Sequence, residues 1–155
     1  MRGSANTRRP FGIFLVVAVA VAAADQAAKH VALSALRPHE PVPLLGDWVR
    51  LTLTHNKASA FGLLPAGPAL LAAMVVFCVA LLAYAFVAGG LRRHPERAVP
   101  LALVFGGAVG NLLDRIRTAG VYDFIDLRVW PVFNLADIAI TAGCALLAIQ
   151  LVRRH

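Results

Sequence analysis

Apolar runs of about 20 residues dominate this chain, and they decide the solvent in which it folds. Crossing a hydrocarbon core of about 30 Å takes roughly 20 helical residues. Four stretches are long enough, at about Pro10–Lys29, Ala66–Gly90, Ala98–Ile116 and Asn134–Val152. Over 155 residues 59% of positions are hydrophobic and the mean hydropathy is +0.73, far above a soluble domain of that size. The expected fold is an all-α membrane protein with four transmembrane helices, forming one integral-membrane domain over residues 1–155. Arg8 and Arg9 before a run that reaches Ala22-Ala23-Ala24 also fit a cleaved signal peptide. The run continues past Asp25 through Ala27 and Ala28, and three more spans follow, which favours a retained helix.

Basic residues near the span ends orient the bundle. Arg2, Arg8 and Arg9 precede the first span, Arg92, Arg93 and Arg97 fill the short second connection, and Arg153 and Arg154 follow the last span. Both termini are therefore expected on the cytoplasmic side, with residues 30–65 and 117–133 outside. The net charge of +7 is then a topology signal plus affinity for anionic lipid heads. Split among separate loops, it makes no nucleic-acid surface. The origin of Met1-Arg2-Gly3-Ser4, native or vector-derived, is left open by the sequence.

Against this apolar background three carboxylates stand out. Asp25, Asp114 and Asp137 each lie near one end of a span, and the topology brings all three ends to the outer face. An ionisable group at membrane depth is costly, which makes it a functional-site hypothesis by default. Asn111-Leu112-Leu113-Asp114 and Asn134-Leu135-Ala136-Asp137 are both N-x-x-D, a spacing that puts amide and carboxylate on one helix face. Arg115 falls four residues after Asn111 and joins that face. Helix capping explains Asn134 equally well, but not Asn111, which lies deep in an apolar run. The inner two-thirds of all four spans hold almost nothing polar, so no relay for protons or cations crosses the membrane.

The outer segments differ from ordinary loops. Residues 48–55 alternate apolar and polar with a period of two, as a half-buried strand does. Pro38, Pro41, Pro43 and Gly46 punctuate its approach, so a small β element is expected over about 38–62. The second outer segment, 117–133, embeds Asp123 and Asp126 among Val121, Phe124, Ile125 and Leu127. That pattern suits an amphipathic flap packed on the membrane over a site. Trp48, Tyr122 and Trp130 suit the interfacial aromatic belt.

Other conspicuous residues are bland. Cys78 and Cys144 sit in apolar runs, where a thiol is a small hydrophobe. The histidines are scattered without ligand spacing, and Ser34 and Ser59 have no adjacent base. Gly106, Gly107 and Gly110 read as close helix packing. No metal or cofactor is expected. Two carboxylates that share a proton can activate water and protonate a leaving group without either, while Asn side chains orient substrate or stabilise an oxyanion. The symmetry of the two N-x-x-D pairs would couple Asp114 with Asp137, while Asp123 and Asp126 are also available. A transporter or a passive scaffold are the other classes; the first lacks a polar path, and the second leaves the paired Asn and Asp unexplained.

These residues carry a resemblance. Gly110-Asn111-Leu112-Leu113-Asp114-Arg115, Val121-Tyr122-Asp123-Phe124-Ile125-Asp126 and Phe133-Asn134-Leu135-Ala136-Asp137 resemble the signature boxes of lipoprotein signal peptidase, the type II signal peptidase of bacteria. Asp25-Gln26 with Lys29 resembles the box at the end of that family's first helix, and Asn56 through Phe61 its N-x-G-A-A-F box. Order, spacing and length agree over nearly the whole chain; Ala58 and Ser59 depart from the usual Gly-Ala. The resemblance implies an aspartic endopeptidase that cuts prolipoproteins before a diacylglyceryl-modified Cys, at the outer face of the bacterial cytoplasmic membrane. It implies Asp123 and Asp137 as the catalytic pair, with Asn56, Asn111, Arg115 and Asn134 lining the site and Asp25 and Asp114 supporting it. An expected Asp114–Arg115 ion pair agrees with that assignment, because a salt-bridged carboxylate is a poor proton acceptor. Lipidated precursors, membrane lipids and globomycin-type inhibitors are the implied partners, with the enzyme expected to act as a monomer.

Overall fold

The computed structural model describes residues 5–46, 48–59, 64–65, 68–84 and 90–153. Helix α1 (Ala5–Ala35) runs six residues past the expected end at Lys29, because Val31, Ala32 and Leu33 continue its apolar pattern up to the break before Pro38. An antiparallel strand pair, β1 (Val42–Leu45) and β2 (Val49–Asn56), follows. A second small ladder pairs β3 (Ala58–Ser59) with β4 (Leu64–Pro65). Ala60 and Phe61 of the Asn56–Phe61 box lie outside the described residues.

Helix α2 (Pro68–Leu82) represents the expected second span, whose residues 66–67 and 85–89 lie outside the described residues. Short α3 (Gly90–Arg93) and a 3-10 turn (Pro95–Arg97) lead into α4 (Ala98–Thr118), then β5 (Val121–Asp126) and α5 (Leu135–Val152). Among the described residues three helical segments are long and apolar enough to cross a membrane: Arg9–Ala35, Pro95–Thr118 and Leu135–Val152.

The α4 segment is central. Buried residues make up 56% of its spanning window, against 17% for the α1 and α5 segments. Glycines permit this crowding. A Cβ at Gly106 would lie 2.6 Å from the Ala18 carbonyl oxygen of α1, and one at Gly107 would lie 2.5 Å from the Ala136 carbonyl oxygen of α5. Small residues at such crossings let helix backbones approach where lipid offers no hydrophobic drive. Phe14, Ala18, Leu91, Ala98, Leu101 and Ala102 form one core, with the Phe14 and Phe105 rings 5.6 Å apart. Elsewhere the helices present Val16, Val19, Val76 and Val152 outward, as a lipid-facing surface would.

Within the segment 117–133, residues 121–126 form a strand that the sequence pattern does not announce; it completes an antiparallel sheet in the order β1-β2-β5. Arg50 pairs with Asp126, Thr54 with Asp123 and Asn56 with Val121, with a register irregularity between Leu51 and Thr54. Ala32, Leu53 and Phe124 form a second core under this sheet, joining it to the C-terminal end of α1. Strands from the two segments thereby form one sheet, joined to the ends of α1 and α4 and followed by α5.

Candidate active site

Helix geometry delivers the first components. Asn111 and Asp114, three residues apart on α4, are both buried, at 6% and 5% exposure. Asn134 caps α5: its side chain accepts from the Asp137 backbone N–H at 3.0 Å, and the Asp137 carboxylate accepts from the Asn134 backbone N–H at 3.2 Å. Capping and site-building are thus the same feature, because the Asn134 Nδ2 is left to donate elsewhere. It donates to Asp123 Oδ1 at 2.6 Å and to Asn111 Oδ1 at 3.1 Å. Asn111 Nδ2 in turn donates to Asp137 Oδ1 at 2.9 Å. Two asparagine amides therefore bridge the carboxylates of Asp123 and Asp137.

From β2, Asn56 Nδ2 approaches Asp123 Oδ2 at 3.4 Å. Asp123 is 4% exposed. Burial first, and then the Asp137 carboxylate, push its carboxyl up to about 6; the amides of Asn134 and Asn56 and the charge of Lys29 pull the other way. A carboxyl at that value exchanges a proton near neutral pH.

Asp123, Asp137, Asn56, Asn111 and Arg115 all line one cavity of about 990 Å³. Its wall continues down α5 through Ile138, Thr141, Ala142 and Ala145, so a polar head opens onto an apolar slot along a helix. Arg115 donates through one terminal nitrogen to the Asn111 carbonyl at 3.2 Å, while its Nε is buried with no hydrogen-bond partner among the described residues.

Asp25 and Asp114 lie behind this layer and are not cavity-lining. Their cation is Lys29, whose Nζ sits 2.7 Å from Asp25 Oδ2 and 2.9 Å from Asp114 Oδ2. The expected Asp114–Arg115 ion pair is therefore corrected. Adjacent residues on a helix diverge by about 100°, and Lys29 reaches across from α1 instead. Asp25 also accepts from the Ala136 N–H at 3.0 Å, and Asp114 from Gln26 Nε2 at 2.8 Å and the Tyr122 N–H at 3.3 Å. One buried cluster thus ties α1, α4, β5 and α5 together. A Cβ on Gly110 would fall 2.6 Å from Asp25 Oδ2, so glycine is needed for the carboxylate to enter.

Gln26 and Lys29, known from the sequence only as part of the box at the end of the first helix, were given no role in the site. The signal for Lys29 was its position four residues after Asp25 in an apolar run, which makes an i,i+4 pair. Asp126, the other acidic candidate, is excluded from this group. It lies on the opposite strand face from Asp123 and is held by Arg50 at 2.6 Å, Thr52 at 2.8 Å and the Arg128 N–H at 2.8 Å. The Arg128 N–H above all, then Thr52 and Arg50, hold its carboxyl below the usual range despite burial. Among the described residues no group of three or more His, Cys, Asp or Glu is arranged to hold a metal ion.

Known proteins share this arrangement's sequence and fold. The family model described as signal peptidase (SPase) II matches residues 17–153. The chain is 42% identical over 144 residues to a lipoprotein signal peptidase of Moorella thermoacetica, covering 89% of this chain and 91% of that one. Against a lipoprotein signal peptidase of Syntrophus aciditrophicus it is 34% identical over 156 residues, covering 96% and 97%. Among solved structures, a bacterial membrane enzyme determined by the in meso method superposes with a TM-score of 0.84 at 27% identity, over 92% of this chain and 88% of that one. A second bacterial membrane enzyme gives 0.82 at 26% identity, over 93% and 95%. The apolar helices and these neighbours make this a membrane protein, and a family match over residues 17–153, together with relatives up to 42% identical over most of the chain, shows that the chain belongs to the signal peptidase II family.

Proposed function

We propose that this protein is an aspartic endopeptidase that removes signal peptides from diacylglyceryl-modified prolipoproteins, cutting just before the lipidated Cys. The observation that carries the reading is the bridging of Asp123 and Asp137 by two asparagine amides at the head of one cavity. The amides hold both carboxyls at one cavity head, where they divide the proton transfers: the ionised one takes a proton from the attacking water, and the protonated one gives its proton to the departing amine. A carboxyl of Asp123 near 6 suits the protonated member. The Arg115 guanidinium and Asn56 line the cavity as donors for the substrate backbone and the developing oxyanion. The apolar slot along α5 suits the hydrophobic substrate segment beside the scissile bond.

In this reading the chain is a single domain with four spans and both termini cytoplasmic. The site lies at the extracytoplasmic face of the bacterial cytoplasmic membrane, and the protein acts as a monomer. Substrate stays anchored in the bilayer while its scissile bond meets the polar head of the cavity. Globomycin-type cyclic peptides compete there.

Purified full-length protein in detergent, offered a lipidated precursor, its unlipidated form and a soluble peptide of the same cleavage sequence, tests this. Mass analysis is expected to show one cut before the lipidated Cys and little turnover of the other two. Equal cleavage of the unlipidated precursor, or no cleavage of the lipidated one, overturns the substrate assignment.

A further inference from the structure

The buried ammonium of Lys29 has three hydrogen-bond donors, and each is spent on an oxygen: Asp25 Oδ2 at 2.7 Å, Asp114 Oδ2 at 2.9 Å and Asn111 Oδ1 at 3.0 Å. The third contact belongs to the residue that holds Asp137. Lys29 is 3% exposed, so no water competes appreciably for these donors. We propose that Lys29 is a positioning residue for the carboxylate pair: it fixes the orientation of the Asn111 amide and, through it, the hydrogen bond that holds Asp137 beside Asp123. The inference rests on those two aspartates being the catalytic pair.

The geometry leaves Asn111 one workable orientation. Its Oδ1 accepts from Lys29 Nζ and from Asn134 Nδ2, which leaves Nδ2 facing Asp137 Oδ1. A flipped amide would set NH₂ against an ammonium and another NH₂, and its oxygen against a carboxylate. All three contacts would turn repulsive. Asn134 is fixed by its own cap, its Oδ1 accepting from the Asp137 N–H, so its Nδ2 meets both Asp123 Oδ1 and Asn111 Oδ1. A single cation on α1 thus fixes the amide that holds Asp137, and that amide joins it to the one that holds Asp123.

Other charges bear on the same pair and define what the test must separate. Asp25 on α1 and Asp114 on α4 face Lys29 directly. Asp123 on β5 feels its charge, and Asp137 on α5 is reached through Asn111. Arg115 on α4 is a second cation coupled to Asp137, Asp123 and Asp114. Since Arg115 remains in every Lys29 variant, the effect of Lys29 is read against a constant second charge.

The test is the pH–rate profile for cleavage of the lipidated precursor by full-length Lys29→Met and Lys29→Gln in detergent, beside thermal unfolding. Asp123→Asn and Asp137→Asn serve as controls. Lys29→Met is expected to lower kcat by about 10²–10³-fold with KM within about twofold, and to move the bell to higher pH by about half a unit or more. Lys29→Gln keeps an amide donor near Asn111; it is expected to shift the bell similarly while losing less kcat. A folded Lys29→Met with the parental bell, or with fewer active molecules under an unshifted bell, overturns the positioning role. So does failure of both uncharged variants to fold, which would make the ammonium a folding requirement alone. If the Asp controls cleave normally, the catalytic pair itself is wrong; if they are dead while the Lys29 variants match the parent, only this inference falls.

Discussion

Asp123 illustrates how a single residue's chemistry and its stability cost are one quantity. Its carboxyl is raised to about 6 chiefly by burial, whereas an unfolded chain ionises Asp near 4. Below about pH 4 both states hold the proton and nothing is lost. As pH rises from about 4 to about 6 the unfolded chain ionises first, so stability falls; above about 6 a constant penalty of about 1–3 kcal/mol remains. Asp123→Asn removes that penalty. It is expected to unfold at a higher temperature than the parent at about pH 8 and to converge with it at about pH 4. A variant less stable than the parent at both pH values would show that Asp123 supports the fold instead. At this scale the sequence was legible in residue types and spacing: Asn56, Asn111, Arg115, Asp123 and Asp137 line the cavity, Asn134 links Asn111 to Asp123, and Asp25 and Asp114 lie in the cluster behind them. The partner of Asp114 was not. Adjacency suggested Arg115, but an ion pair between α1 and α4 is a tertiary fact that neighbouring residues in a helix do not report.

Among the elements, the helical spans were readable because lipid demands length and apolarity, and both are local. The alternation over 48–55 likewise announced β2. Strand β5 was hidden because it is buried on both faces: Val121, Asp123, Phe124 and Asp126 are all inaccessible, so no period of two survives. Its pairing with β2 is what carries Asp123 over the helix ends. The α4–α5 crossing sets the other half of the geometry, and Gly107 sets that crossing. Gly107→Ala forces a Cβ against the Ala136 carbonyl oxygen, one residue from Asp137. We expect a loss of about 1–3 kcal/mol, as for other overpacked contacts, together with reduced cleavage as Asn111 and Asp137 separate. Gly12→Ala, on the same scale of change but with nothing within 4 Å of the new methyl, is expected to be neutral or slightly stabilising. Equal unfolding temperatures for the two variants would show that the crossing has slack.

Across the described residues, buried polar groups are concentrated at one end. The buried charged cluster, the bridged aspartates and the three-stranded sheet all lie where α1 ends and α5 begins, while Leu91 and Ala98 pack at the other end with Arg92 and Arg93 nearby. That asymmetry was legible as the basic connections and the carboxylates near the opposite span ends. It fits an enzyme that works at a membrane surface on a substrate held in the bilayer, and it does not fit a conducting path. The central claim is that Asp123 and Asp137 act as one acid–base unit. Its most direct test is the rate of cleavage of a lipidated precursor by Asp123→Asn, Asp137→Asn and the double variant, each checked for folding. Because the pair works as a unit, each single variant is expected to lose about 10²–10⁴-fold, and the double to be hardly worse than either single. Substantial turnover by either single variant, or losses that multiply in the double, would contradict it.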